Sequence, residues 1–190
     1  MNYAIVLRLL SYILLTEGAL LLLPAAASLC YGEWFVMGVF LFTAAFSAAL
    51  GALLHRIKTK SQIFYMREGF ATTALCWLLI SVVGAVPFVL TGCIPNPVDA
   101  LFETVSGFTT TGASILPGVE DLPKGILFWR SFTHWVGGMG VLVFITMLSG
   151  STDRSMNILK AEMPGPVKGK LTPRTRDTAR VLYLLYFLIT

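Results

Sequence analysis

Charged residues are scarce in this 190-residue chain. They make up 13% of the sequence, whereas soluble domains carry about 25%. Hydrophobic residues account for 56% of the chain, and its mean hydropathy is +0.77. The shortage of charge excludes a soluble globular domain, and the excess of apolar residues predicts an all-α integral membrane protein.

Cysteine is sparse as well. The three cysteines, Cys30, Cys76 and Cys93, fit no spacing that is typical of a metal or redox site. Cys30 and Cys93 both fall on the predicted outer side, which leaves a disulfide between them open. The sequence also contains no nucleophile–base pair and no metal-spaced set of ligands, which counts against an enzyme that works inside the membrane.

The apolar runs predict how the chain crosses the bilayer. A spanning helix needs about 20 apolar residues, and four runs meet this length at 3–29, 35–54, 69–91 and 126–149. The first run is longer than a signal-peptide core, so we expect it to be retained as a helix. A further run begins at Thr178 and reaches the last residue after about half a span. We therefore expect the N-terminal part of a longer protein.

These runs divide the chain into five segments. We expect a hairpin of two transmembrane helices, a polar link, a unit made of a helix, a half-helix loop and a second helix, another polar link, and the start of a second such unit. The corresponding residues are 1–54, 55–68, 69–149, 150–177 and 178–190.

The distribution of lysine and arginine predicts the orientation. The 55–68 link carries four of them and the 150–180 stretch carries seven, whereas residues 92–125 carry only Lys124. Because positively charged loops remain in the cytoplasm, both links and the N-terminus are predicted to be cytoplasmic. The half-helix then enters from outside. The net charge of +4 follows from this topology and does not indicate binding to nucleic acid.

A polar segment, Thr104-Val-Ser-Gly-Phe-Thr-Thr-Thr-Gly-Ala-Ser114, interrupts the apolar sequence. It continues a half-helix at 98–108 that is too short to span the bilayer, and an extended return at 109–117 follows. Irregular backbone is tolerated at membrane depth only where it lines water or a cavity. The pattern predicts an ion pathway, although small polar residues of this kind also occur in ordinary outer loops.

The chemistry of that return favours a monovalent cation. Four residues, Thr109, Thr110, Thr111 and Gly112, follow the negative end of the half-helix dipole. Gly112 permits backbone angles that a β-carbon forbids, so successive carbonyls can face one axis. We predict these four residues as a potassium-binding filter, with the ion held by the backbone carbonyls of Thr110 and Thr111. No carboxylate lies within the return.

Ionisable residues inside membrane spans are functional candidates, and Glu17, Arg130 and His134 are residues of this kind. Arg130 and His134 lie four residues apart on one helical face. The alternatives are an interfacial role for Arg130 at the outer membrane face and a hydrogen-bonded core position for His134. Glu17 stands alone in the first span, where we expect it to pack against a polar partner or to lie near the interface.

Three motifs in order resemble the Trk/Ktr/HKT superfamily of potassium transporters. Residues 104–114 are similar to the first pore loop of that superfamily, and residues 128–140 to the start of its first M2 helix. Residues 161–174 look like a cytoplasmic link of its bacterial TrkH branch. The two helices that precede the pore unit also suit that branch.

The resemblance implies four covalently linked pore units, of which this chain carries the first. It implies that Gly112 is the filter glycine of this unit, that K+ is the transported ion, and that no organic cofactor is needed in this chain. It further implies a homodimer in the bacterial plasma (inner) membrane and a cytosolic nucleotide-binding regulatory subunit of the TrkA type. The pore arginine of the family belongs to a later unit and does not correspond to Arg130.

The sequence therefore predicts potassium uptake, with K+ passing through a carbonyl-lined filter to which this chain contributes one of four loops. Two alternatives remain open at this point. One is a less selective monovalent cation transporter that also passes Na+, and the other is a membrane scaffold that transports nothing. Three further half-helix loops with a central glycine, later in the longer protein, would favour a pore over a scaffold.

Overall fold

The apolar runs fold into helices. The computed structural model describes residues 3–57, 66–138, 140, 184 and 186–188, and all regular structure within these residues is helical. Within the described ranges 3–57 and 66–138, six helices follow one another: α1 (Tyr3–Leu20), α2 (Leu22–Cys30), α3 (Trp34–His55), α4 (Met66–Leu90), α5 (Pro97–Phe108) and α6 (Lys124–Gly138).

Three stretches in the described part of the chain are long and apolar enough to cross a membrane. They are Tyr3–Cys30, Trp34–His55 and Gly69–Leu90, and they match the first three predicted spans to within two residues. The predicted fourth span, 126–149, begins in α6, but its second half lies outside the described residues. So do most of the 55–68 link, the whole 150–177 link and most of 178–190.

Two helix boundaries differ from the predicted ones. The first span is divided at Leu21 into α1 and α2. Pro24 explains the division, because it has no N–H to donate to the Leu20 carbonyl and its ring crowds that carbonyl. Helix α4 begins at Met66, inside the predicted link and ahead of the expected start at Gly69.

Small residues allow α1 and α3 to pack closely. A β-carbon on Gly18 would lie 3.0 Å from the Ala44 carbonyl oxygen, and one on Gly51 would lie 3.0 Å from Leu15 Cγ. The Ser47 hydroxyl donates a hydrogen bond of 2.8 Å to the Leu14 carbonyl. Such close approach of small residues is typical of helix pairs in membranes. The two predicted N-terminal helices therefore form a hairpin.

Helix α5 lies between α4 and α6. A β-carbon on Gly84 of α4 would lie 2.9 Å from Thr104 Cγ2 of α5. Trp129 of α6 is buried, and its indole N–H donates to the Gly84 carbonyl at 2.9 Å. The ring of Trp129 also meets Phe108 edge to face. These contacts fix the end of α5, and with it the start of the loop that follows.

Candidate functional site

The N-terminus of α5 is capped by its own sequence. The Asn96 side-chain oxygen accepts the Val98 N–H at 3.1 Å, and the Asn96 amide donates to the Asp99 carboxylate at 3.0 Å. Pro97 occupies the first turn, where its missing N–H costs nothing. The helix has 12 residues, which corresponds to about 18 Å at 1.5 Å per residue. It is therefore too short to cross a hydrocarbon core of about 30 Å.

The C-terminus of α5 ends in a Schellman arrangement. The Thr110 N–H donates to the Gly107 carbonyl and the Thr111 N–H to the Ser106 carbonyl, each at 3.0 Å. In this motif the residue after the C-cap adopts a left-handed conformation and is usually glycine. Here that residue is Thr110, with φ of 55°. The motif turns the chain sharply from the helix into an extended return.

Thr110 holds a strained backbone conformation. It is the one non-glycine residue with positive φ in the described part of the chain, and a β-branched residue in this region is a genuine outlier. Such conformations cost about 1–3 kcal/mol and persist where the surroundings enforce them. Gly112 follows with φ of 75° and has open space around its missing β-carbon. The requirement at Gly112 is therefore for backbone freedom.

Four successive backbone carbonyls after the end of α5 accept no hydrogen bond from the described residues. Among the described residues, no hydrogen bond is donated to the carbonyls of Thr109, Thr110, Thr111 or Gly112. The Thr109 hydroxyl donates to the Val105 carbonyl and pairs with the Thr111 hydroxyl, each at 2.8 Å. The four residues are exposed. Unpaired carbonyls in sequence are the groups that replace the hydration shell of a dehydrated cation.

The return is held from behind by a buried carboxylate. Glu103 of α5 is 3% exposed. Its oxygens accept the Ser114 hydroxyl at 3.0 and 3.1 Å and the Ile115 N–H at 3.1 Å. Arg130 of α6 places its Nε 2.6 Å from Glu103 Oε1. We call these four residues the Glu103 clamp, and residues 109–115 the threonine loop.

The clamp joins three segments around one charge. The arginine and the two donors of the return satisfy the carboxylate on both oxygens, which a buried charge requires. A second tie runs parallel to it, because the Ser106 hydroxyl donates to the Ala113 carbonyl at 2.6 Å. The threonine loop is thus fixed at its start by the Schellman motif and at its end by the clamp.

The structure assigns Arg130 and His134 different roles. Arg130 pairs with Glu103, and its side chain is 24% exposed, so it is more than an interfacial residue. His134 stays on its own helix, with Nδ1 2.9 Å from the Arg130 carbonyl oxygen. Its hydrogen bond matches the alternative of a satisfied core histidine. The two residues share a helical face, but only Arg130 bonds to Glu103, the carboxylate that holds the threonine loop.

Sequence reasoning missed Glu103 as a residue of the site. Two signals pointed to it. Glu103 is a carboxylate inside an apolar half-helix, and Arg130 is the cation one turn into the next helix. Opposite charges on neighbouring membrane segments pair with one another.

Glycines set the distance between α5 and α6. A β-carbon on Gly107 would clash with the Thr133 hydroxyl, and one on Gly137 would clash with the Phe108 carbonyl. Gly137 lets the end of α5 approach closely, and α6 ends at Gly138.

Glu17 lies away from the threonine loop. It is 4% exposed, and within the described residues neither of its carboxylate oxygens has a hydrogen-bond partner. It faces a largely apolar cavity of about 530 Å³ that Phe108, Trp129 and Trp135 also line. The polar partner expected for Glu17 is therefore absent from the described part of the chain.

Comparison with known proteins gives a consistent result. The sequence model of the TrkH family, described as cation transport protein, matches residues 36–190. The chain is 35% identical over 195 residues to the Trk system potassium uptake protein TrkH of Halomonas elongata, and 35% identical over 200 residues to TrkH of Escherichia coli. Each alignment covers 100% of this chain and 40% of the relative.

The fold is similar to a solved structure as well. The crystal structure of the potassium transporter TrkH from Vibrio parahaemolyticus matches with a TM-score of 0.76 and 29% sequence identity. The match covers 98% of this chain and 37% of that chain. The chain thus spans about 40% of the length of the relatives it matches.

Proposed function

We propose that this chain, which belongs to the TrkH family of cation transport proteins, supplies one of the four pore loops of a potassium uptake protein. The observation that carries the proposal is the threonine loop. Its carbonyls from Thr109 to Gly112 follow the end of a half-helix and accept no hydrogen bond from the described residues. Two relatives that align with the whole of this chain are named potassium uptake proteins.

The electrostatics of the loop support a monovalent cation. The C-terminus of α5 carries the negative end of the helix dipole, which attracts a cation. The charge of Glu103 is balanced by Arg130 and by the donors of Ser114 and Ile115. The ion would therefore be bound by neutral carbonyl dipoles, with Thr110 and Thr111 as the main ligands.

One loop cannot surround an ion, and rings of carbonyls need about four copies around an axis. We assign the other three loops to the part of the protein that corresponds to the remainder of the relatives, outside the region aligned with this chain. In this arrangement residues 69–149 form the first pore unit, and residues 178–190 begin the second. The helices of 1–54 flank the pore as an N-terminal hairpin.

The charge distribution supports the orientation. We assign the protein to the bacterial plasma (inner) membrane, with the N-terminus and the 55–68 and 150–177 links in the cytoplasm. The threonine loop then faces outward. A homodimer and a cytosolic TrkA-type regulatory subunit are the proposed partners, and the basic links around Lys58 and Lys168 are the surfaces on which we place the subunit.

Ion uptake by the full-length protein tests this function. The protein would be produced in bacteria that lack their own potassium uptake systems, and growth at low K+ would be measured together with the rates of K+ and Na+ uptake. We expect K+ uptake that Na+ inhibits weakly. Equal uptake of both ions would identify a less selective cation transporter, and uptake of neither would leave a scaffold.

A further inference from the structure

Glu33 connects the N-terminal hairpin to the pore unit. It lies in the turn between α2 and α3, where Gly32 has φ of 73°. Its own N–H donates to the Ser28 carbonyl at 2.9 Å. The turn therefore fixes the Glu33 backbone against the end of α2.

The Glu33 side chain caps a helix that begins 91 residues later in the chain. One carboxylate oxygen accepts the Lys124 N–H at 2.7 Å, and the other accepts the Gly125 N–H at 3.0 Å. The first N–H groups of a helix have no partner within it, and a negative charge is favoured at that end. Pro123, whose carbonyl accepts the Leu127 N–H, has no side-chain acceptor with which to cap α6 itself.

A second contact holds the same two segments together. A β-carbon on Gly125 would clash with the Ser28 hydroxyl and would lie 3.2 Å from Val36 Cγ1. Glycine at this position therefore allows α6 to start directly against α2 and α3. The cap and the close approach fix where α6 begins and the direction in which it runs.

The start of α6 is linked to the threonine loop through one rigid helix. Arg130 follows Lys124 by six residues, about 9 Å along the axis. Its Nε is bonded to Glu103, which in turn holds Ser114 and Ile115. A displacement of the start of α6 would move Arg130, and the clamp would transmit that movement to the loop.

We infer that Glu33 is a positioning residue for ion selection, through which the N-terminal hairpin sets the place of α6 and so the geometry of the threonine loop. The inference rests on the proposed function. It gives the two helices before the pore unit a role beyond anchoring in the membrane. It also explains why a carboxylate in the outer turn of the hairpin points at the pore unit.

The test compares removal of the cap with its local replacement. Glu33→Ala in the full-length protein is expected to raise the KM for K+ and to lower the K+-to-Na+ uptake ratio by at most about fivefold, the factor reached if the whole free energy of one helix cap were expressed in selectivity. Glu33→Gln keeps the shape and one acceptor oxygen, but it replaces the second acceptor with an NH2 donor and lacks the charge, so we expect an intermediate ratio. Glu120→Ala removes an exposed carboxylate of the outer loop and is expected to leave the ratio unchanged.

A second-site change separates positioning from stability. Pro123→Asp provides α6 with a cap of its own. Added to Glu33→Ala, it should restore the thermal unfolding temperature in detergent but not the uptake ratio, because the tether to the hairpin is still missing. Restoration of both would reduce Glu33 to a helix cap and overturn the inference.

The remaining outcomes are also decisive. If Glu33→Ala does not reach the membrane, the ratio of Glu33→Gln decides, and a wild-type ratio there overturns the inference. If the wild-type protein takes up K+ and the Glu33 variants have the same K+-to-Na+ uptake ratio as the wild type, the inference is refuted but the proposed function is not. A wild-type protein that takes up no K+ would refute the proposed function and the inference with it.

Discussion

The Nε atom of Arg130 lies 2.6 Å from the carboxylate of Glu103, and this pair joins α6 to α5 directly behind the threonine loop. The same carboxylate accepts the Ser114 hydroxyl and the Ile115 N–H. A single buried charge thus fixes the end of the loop to both neighbouring helices.

Removing Arg130 alone should lower the stability of the protein more than removing both charges of the pair. Arg130→Ala leaves the Glu103 carboxylate, with a side chain 2% exposed, without its counter-charge. We expect a loss of about 2–3 kcal/mol in the free energy of unfolding, which is less than the roughly 3–5 kcal/mol of a fully buried broken pair, because Arg130 is partly exposed. Glu103→Gln combined with Arg130→Ala should recover part of this loss. Thermal unfolding of the full-length Arg130→Ala, Glu103→Gln and double variants measures these losses. If the loss in the double variant equals the sum of the two single losses, the pair is not coupled.

Replacing Thr110 by glycine should release strain. Its φ of 55° is unfavourable for a β-branched residue and normal for glycine. We expect Thr110→Gly to leave the unfolding temperature unchanged or to raise it, since the relief of about 1–2 kcal/mol offsets the added freedom of the unfolded chain. Thr109→Gly is the comparison variant and should be destabilised, because Thr109 has φ of −80°, gains nothing from glycine and loses the hydroxyl contacts with Val105 and Thr111. A larger loss at Thr110 than at Thr109 would argue against the strained conformation.

Gly137 should tolerate no side chain. Gly137→Ala places a methyl group against the Phe108 carbonyl, and we expect the resulting overpacking to cost about 1–3 kcal/mol. Gly38→Ala is a suitable control, because Gly38 is exposed on α3 and has nothing within 4 Å of an added β-carbon. There the better helix propensity of alanine should be neutral or stabilising. Equal effects of the two changes on thermal unfolding would contradict the close packing of α5 and α6.

The predicted topology can be checked on both sides of the membrane. A reporter fused after Lys160 should be active only in the cytoplasm, because the basic 150–177 link remains there. A reporter inserted after Asp121, in the outer loop before α6, should be active only outside. Activity of the first reporter outside the cell would reverse the orientation of the whole chain.

The sequence indicated the helices well because hydropathy and length act locally. The first three spans and the half-helix 98–108 follow from runs of apolar residues and from where those runs are interrupted. The break at Leu21 was also readable, because Pro24 removes one N–H from the helix. The division of the first span into two helices was nevertheless not predicted, because the apolar run itself continues without a gap.

Contacts between distant segments were harder to predict. The sequence pointed to Thr109, Thr110, Thr111 and Gly112 as a loop of special backbone, and the positive φ of Gly112 agrees with the conformation expected there. That Thr110 also takes a positive φ depends on the Schellman end of α5 and not on its own preference. The Glu103 clamp requires α5, the return and α6 to meet, and such a meeting is a property of tertiary packing.

The uptake ratio of K+ to Na+ in a Gly112 variant shows whether the threonine loop selects the ion. Gly112→Ser would be compared with Gly92→Ser in the full-length protein. Both glycines have φ of 75° and open surroundings, so both changes introduce the same backbone strain of about 1–2 kcal/mol. Gly92, however, lies in the turn before α5. We expect only Gly112→Ser to lower the ratio, by about tenfold if the strain is relieved by rotating the carbonyls. Equal ratios in the two variants and the wild type would remove the threonine loop from the ion pathway.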